Sequence, residues 1–243
     1  MKATIVAIIF GVSIVLASIF LANGYVERSR KPRTIQVTGL GKSDFRSDLI
    51  VWEGKVSVDN TDLKSAYREL NESKEKVIKY LKSKDIGMGE VVFDAVNSRE
   101  KSRSIYNSEG NYVGEEFEGF SLEQSFKIES RDVEKVEDIS RSITELLNEG
   151  IQLFSFAPRY YYTGMADLKL DMIAKATMDA RARAENITEF AGVELGDVIE
   201  ADMGVFQITG QNSNEEYSWG GTFNTSSKYK TASITVKLEI ELD

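Results

Sequence analysis

Carboxylates, lysines, tyrosines and hydroxyls are the only side chains in this sequence that could carry a reaction. It holds 39 Asp and Glu and 30 Lys and Arg, but no histidine and no cysteine. Imidazole bases, thiol nucleophiles, zinc knuckles, iron–sulfur clusters and disulfides are therefore excluded. Gly39-x-Gly41 after a strand pattern invites a phosphate-loop reading. No third glycine follows at the required spacing, and a strand comes next where a helix is needed. A tight turn or bulge between strands is the expectation there. Glu115, Glu116 and Glu118 cluster at the start of a strand, but they lack the alternating oxygen ligands and glycine turn of a calcium loop. Pairing with Lys101 or Arg103 across a hairpin is expected instead. No two of the many acids are singled out as a glycosidase pair, so no catalytic, metal or cofactor residue is assigned. The expectation is a protein that is not an enzyme.

Two segments invite contact rather than catalysis. Residues 210–227 (GQNSNEEYSWGGTFNTSS) set Tyr217, Trp219 and Phe223 on a Gly/Asn/Ser background. Aromatic rings in a polar loop suit a protein or glycan partner, because they bury area at little entropic cost. The competing reading is a disordered insertion whose rings tuck onto the body. The helix pattern over 165–191 carries small side chains on more than one face. Close packing on a sheet explains them, as does contact with a second subunit through Ala176, Ala180, Arg181 and Arg183.

The elements that position these groups follow from periodicity. Strands are expected over 34–42 and 48–59, a helix over 61–84, and a long hairpin of strands 89–106 and 112–129 around 107–111. A helix over 131–148 follows, with Ser130 as candidate N-cap, then a strand over 152–163 ending in Tyr160-Tyr161-Tyr162. The long helix over 165–191 precedes strands over 195–209 and 228–242. Gly87, Gly150 and Gly192 stand where the three helices should stop. The central run has the βαββαβ order of a ferredoxin-like fold. The fold class is thus α+β: a ferredoxin-like core extended by a third long helix and terminal antiparallel strands, as one continuous domain or two packed lobes.

Residues 1–33 read as an N-terminal anchor and basic linker. Ala3–Ala22 contains no charge, and twenty residues at ~1.5 Å each give ~30 Å of helix, enough to cross the hydrocarbon core. A signal cleaved after Gly24 is the other reading. Arg28, Arg30, Lys31 and Arg33 follow the span, which by the positive-inside rule would keep the body in the cytoplasm. Residues 34–243 hold 25 basic and 38 acidic side chains, a net of −13. An acidic body of this kind repels phosphate, so nucleic acid is not an expected partner.

Several stretches together resemble the SIMPL-domain family, a bacterial domain of unknown function that includes periplasmic immunogenic proteins. Ile35-Gln36-Val37-Thr38-Gly39-Leu40-Gly41-Lys42 with Ser47-Asp48-Leu49 is similar to its "VTGxGxxxxxPD" opening, although Ser47 replaces the usual Pro. Ala174–Glu185 (AKATMDARARAE) resembles its "DARAKAE" helix, and Ala191–Val198 its "LGLKLGKV" continuation. Gly119-Phe120 matches a "GY" pair, whereas Arg159–Gly164 departs from the family's segment after the fifth strand. The resemblance implies exported envelope proteins that assemble into ring-like homo-oligomers, with links to stress tolerance and no catalytic residues to transfer. On that basis the expectation is a protein of the bacterial cell envelope. It would be anchored in the inner membrane through residues 3–22 with its body in the periplasm, against the flanking arginines, and its partner would be itself. The alternative is an envelope binding module that recognises a protein or glycan through the 210–227 loop.

Overall fold

The structure is a computed structural model. It describes residues 2–29 and 33–243, and of residues 2–10 and 26–29 the backbone alone. Four helices and ten strands are present among the described residues: α1 (Lys2–Ser29), β1 (Thr34–Arg46), β2 (Leu49–Asn60), α2 (Leu63–Ser83), β3 (Val91–Phe93), β4 (Asn97–Tyr106), β5 (Tyr112–Ser130), α3 (Val133–Ser142), β6 (Gln152–Ser155), β7 (Arg159–Tyr161), α4 (Met165–Ala191), β8 (Leu195–Met203), β9 (Gln207–Gly210) and β10 (Tyr229–Leu242). The fold is α+β. The chain forms two compact units, neither of them a continuous segment.

The larger unit comprises Lys42–Met172 and Val205–Ile234. Its sheet runs β3-β5-β2-β6, with β4 continuing the edge beside β5 and β7 pairing with β2. With α2 and α3 this is the ferredoxin-like order expected from the sequence, with the neighbouring strands of the sheet antiparallel. The alternating apolar residues of β2 and β5 bury Ile50, Trp52, Val56, Leu122, Phe126 and Ile128 against Leu70, Val77 and Leu81 of α2 and Val136 and Ile139 of α3. Trp52 meets Phe126 edge-on at 5.5 Å and donates its indole N–H to Ser155 Oγ at 3.1 Å, so its one polar atom stays satisfied in the core.

Helix ends follow local chemistry. Asp62 caps α2 by accepting from Ser65 N–H at 2.8 Å. The left-handed residue that closes this helix is Asp85 (φ 57°), not Gly87: Asp85 N–H bonds back to Lys82 and Ile86 N–H to Leu81. For α3 the cap is Asp132, which accepts from Lys135 N–H at 3.2 Å, while Ser130 accepts from Asp132 N–H one step earlier. Gly150 and Gly192 do adopt positive φ, at 79° and 70°.

The smaller unit comprises Met1–Gly41, Ile173–Gly204 and Thr235–Asp243. Here the end of β10 lies between β1 and β8. Residues 11–25 of α1 carry no charge and are exposed along their whole length. Among the described residues no helix is long and apolar enough to cross a membrane. Of the span expected at Ala3–Ala22, the side chains of residues 3–10 lie outside the described residues.

Candidate functional site

In the smaller unit, two of the stretches that carry the family resemblance, the opening glycines and the alanine-rich helix, meet one another. A Cβ added to Gly39 would stand 2.1 Å from the carbonyl oxygen of Ala176 and 2.3 Å from the nitrogen of Ala180. Strand and helix therefore touch backbone to backbone, and only glycine fits. One residue on, Leu40 N–H donates to Asp179 Oδ2 at 2.8 Å, the principal reason that carboxyl lies below its ordinary range. Ala176, Ala180 and Ala184 are completely buried along this face. The surface of Ala176 and Ala180, offered from the sequence both to a sheet and to a second subunit, is covered within the chain. Arg181 and Arg183 remain exposed, yet each is paired on its own helix, with Glu185 at 3.0 Å and Asp179 at 2.9 Å.

The 211–228 loop of the larger unit behaves differently. It is ordered by a set of side chains that sequence reasoning passed over. The Gln207 amide, at the start of β9, donates to Ser218 O at 2.8 Å and accepts from the N–H groups of Ser218 (3.2 Å) and Thr222 (2.9 Å). Glu215 accepts from Gly210 N–H at 2.7 Å and from the Asn224 amide, and these bonds hold its pKa below the usual range, the Gly210 bond foremost. Buried Asn224 in turn accepts from Ser227 N–H at 2.9 Å. Ile208 and the loop exchange backbone bonds with Thr222 and Asn224 at 2.7 and 2.8 Å. With the loop so tied, its aromatic residues stand outward: Trp219 is 101% exposed, Tyr217 64% and Phe223 56%. The Tyr217 hydroxyl is fixed to Ser233 Oγ at 3.1 Å, which leaves the ring presented to solvent. The reading of a disordered insertion with tucked rings does not describe this loop.

Beneath it lies a charge whose position the alternation of β10 already signals. Lys230 shares parity with Ala232, Ile234, Val236, Leu238 and Ile240, so it points inward, and it is only 2% exposed. Its ammonium donates to Tyr160 O at 2.6 Å; burial lowers its pKa to about 8, opposed by Glu215. Tyr160, itself buried, is pushed up to about 12 by burial and by the Glu137 carboxylate. Glu137 also binds Lys228 and Arg141. Asp48, in the family-like opening, accepts from Thr163 N–H at 2.7 Å and Thr163 Oγ1 at 2.6 Å. Beside it, Ser47 donates its N–H to Lys228 O at 2.9 Å, a bond the family's proline could not make.

A third feature is the β4–β5 hairpin. β2 pairs with β5 only from Phe120 onward, so the hairpin tip runs past the end of β2 as a two-stranded arm. Gly119 (φ 140°) allows the departure, its missing Cβ clearing Asn60 O. The expected cross-hairpin pairing holds for Arg103, which binds Glu116 at 2.8 Å and Glu118 at 3.5 Å. Lys101 reaches Asp59 instead, at 2.7 Å, and Glu115 accepts from Ser102 Oγ. Among the described residues no group of three or more acids is placed to hold a metal ion.

The family model described as "Protein of unknown function (DUF541)", SIMPL, matches residues 35–242. The chain belongs to the SIMPL family. Among curated proteins it has no match. The opening glycines and the alanine-rich helix of this SIMPL domain are joined in one strand–helix contact. Of the candidate surfaces for function, the aromatic loop lies outside the family-like stretches, and the hairpin arm departs at one of them, Gly119-Phe120.

Proposed function

We propose that this SIMPL protein is a non-catalytic, membrane-tethered component of the bacterial cell envelope that self-associates through its β4–β5 arm into a ring-like homo-oligomer, with its body in the periplasm. The observation that carries the proposal is the arm itself. A two-stranded hairpin is marginal in water when nothing covers it, yet this one holds Tyr106, Tyr112, Val113 and Phe117 largely exposed. Its basic residues are neutralised within the chain by Asp59, Glu116, Glu118 and Glu123. What it offers a partner is therefore apolar surface and an open strand edge, with every basic side chain paired and a small acidic surplus of Glu100, Glu109, Glu115, Glu116 and Glu118 over Arg99, Lys101 and Arg103.

The tether is the N-terminal helix α1, whose residues 11–25 are uncharged and exposed. Confining copies to one surface raises their effective concentration, so weak arm contacts suffice. Light scattering on the full chain in detergent tests this. Oligomers are expected, reverting to monomers when Ile105, Val113 and Phe117 are replaced by serine. A monomeric wild-type chain would refute the proposal. A topology reporter fused after Asp243 tests the sidedness: activity restricted to the cytoplasm would show that the flanking arginines decide it. The braced aromatic loop favours a second reading, in which 211–228 is a separate surface for an envelope partner.

A further inference from the structure

We propose that the cleft beside Tyr217 binds a neutral oligosaccharide, with the Tyr217 and Trp219 rings as stacking platforms; this rests on reading the 211–228 loop as a binding surface. The cleft has a volume of about 330 Å³ and combines one aromatic wall, Tyr217, with a polar floor that includes Lys42, Asp44, Asn212, Ser213 and Glu215. A sugar has the matching two-sided chemistry: C–H faces that lie on an aromatic ring, and hydroxyls at the rim that need donors and acceptors side by side.

Asp44 accepts from Thr231 Oγ1 at 2.5 Å and from Gln211 Nε2 at 3.2 Å. These bonds fix the carboxylate, and a carboxylate with ~four lone-pair sites keeps capacity for a ligand hydroxyl. Lys42 supplies donors. With Lys230 interacting with Glu215 from beneath, two carboxylates meet two ammonium groups, so the cleft has no surplus cation for a phosphate, sulfate or uronate group and suits an uncharged ligand. The cleft at the base of the arm is different, because its Lys101, Arg103, Glu116 and Glu118 engage charges of the chain itself.

Order in the loop adds to the argument. The Gln207, Glu215 and Asn224 bonds hold the loop backbone that carries the rings before any ligand arrives, which removes part of the ordering cost of binding. Trp219 lies two residues from Tyr217, at most ~7 Å along the chain, so one short oligosaccharide can meet both.

The two tryptophans make the test direct, because Trp52 is fully buried and Trp219 fully exposed. Iodide quenching of the full chain in a sugar-free detergent reports Trp219 alone. Chitotetraose, cellotetraose and maltotetraose are the neutral probes, polygalacturonate the anionic one, and a detergent extract of envelope proteins the third. At least one neutral tetrasaccharide is expected to shift Trp219 emission to the blue and shield it from iodide, with half-effect near ~1 mM. Tyr217→Ala should weaken that about tenfold or more with the buried Trp52 emission unchanged. Shielding by the protein extract alone would overturn the oligosaccharide proposal and leave the loop reading standing. Shielding by polygalacturonate alone would overturn it through the charge argument. No shielding by any probe would overturn both the proposal and the loop reading.

Discussion

The alanine face of α4 and the aromatic loop 211–228 look alike as candidate interfaces in the sequence, and the structure separates them. Ala176, Ala180 and Ala184 are buried against a strand whose Gly39 admits the helix backbone. Trp219 stands clear of the chain on a loop fastened from below. Small residues on a helix signal a close approach without saying by what. Aromatic residues in a polar loop signal a contact only if something holds the loop open, and that something is a hydrogen-bond network of Gln207, Glu215 and Asn224.

The largest effect that sharpens this contrast should come from Gly39→Ala. Its methyl would collide with helix backbone that cannot swing aside, so the cost should reach or exceed the ~1–3 kcal/mol typical of overpacking. Urea unfolding checks it; a near-neutral result would break the account of α4 as an internal contact. Next, Gln207→Ala removes three hydrogen bonds from the loop, each worth ~0.5–1.5 kcal/mol net. Global stability should fall less than with Gly39→Ala, while amide exchange accelerates at Ser218 and Thr222. Unchanged exchange there would mean the bracing lies elsewhere.

The pH dependence follows from the groups beneath the loop. Lys230 titrates at about 8 in the folded chain, below the ordinary lysine value. Between that point and its unfolded pKa the unfolded state holds more protons, so stability should rise with pH across roughly 8 to 10. Tyr160, raised to about 12, acts oppositely above pH ~10, where the unfolded chain loses its phenolic proton first. Thermal unfolding across pH 7 to 11 should therefore show a gain followed by a decline, and Lys230→Met should flatten the gain. The smallest effect belongs to Arg183→Ala. Its pair with Asp179 is exposed, and removing it should change stability by no more than ~0.5 kcal/mol. A large loss would restore a contact role to that face of α4.

The order of elements was legible because strand and helix periods alternate without interruption, and the ferredoxin-like unit follows from that order. Local closures were harder to read. Asp85 takes the left-handed position expected of Gly87, since a short polar side chain also tolerates it. The strand expected over 152–163 is broken at Phe156–Pro158 into β6 and β7, as proline cannot serve the ladder. The inward Lys230 was present in the alternation of β10, on the face that Ala232, Ile234 and Val236 continue. The braces were not legible, because Gln207, Glu215 and Asn224 look like any polar residues until the chain folds back on itself. Nor was the reach of the arm, which depends on where β2 ends.

The central claim is that copies of this chain meet through the β4–β5 arm at a membrane. Because the natural sequence contains no cysteine, Val113→Cys places a single thiol on the arm, and Glu72→Cys places one on the exposed surface of α2 as a control. Oxidative cross-linking in membranes of expressing cells should give covalent dimers for Val113→Cys and leave Glu72→Cys monomeric. Monomers from both, or equal dimer yields from both, would contradict the account.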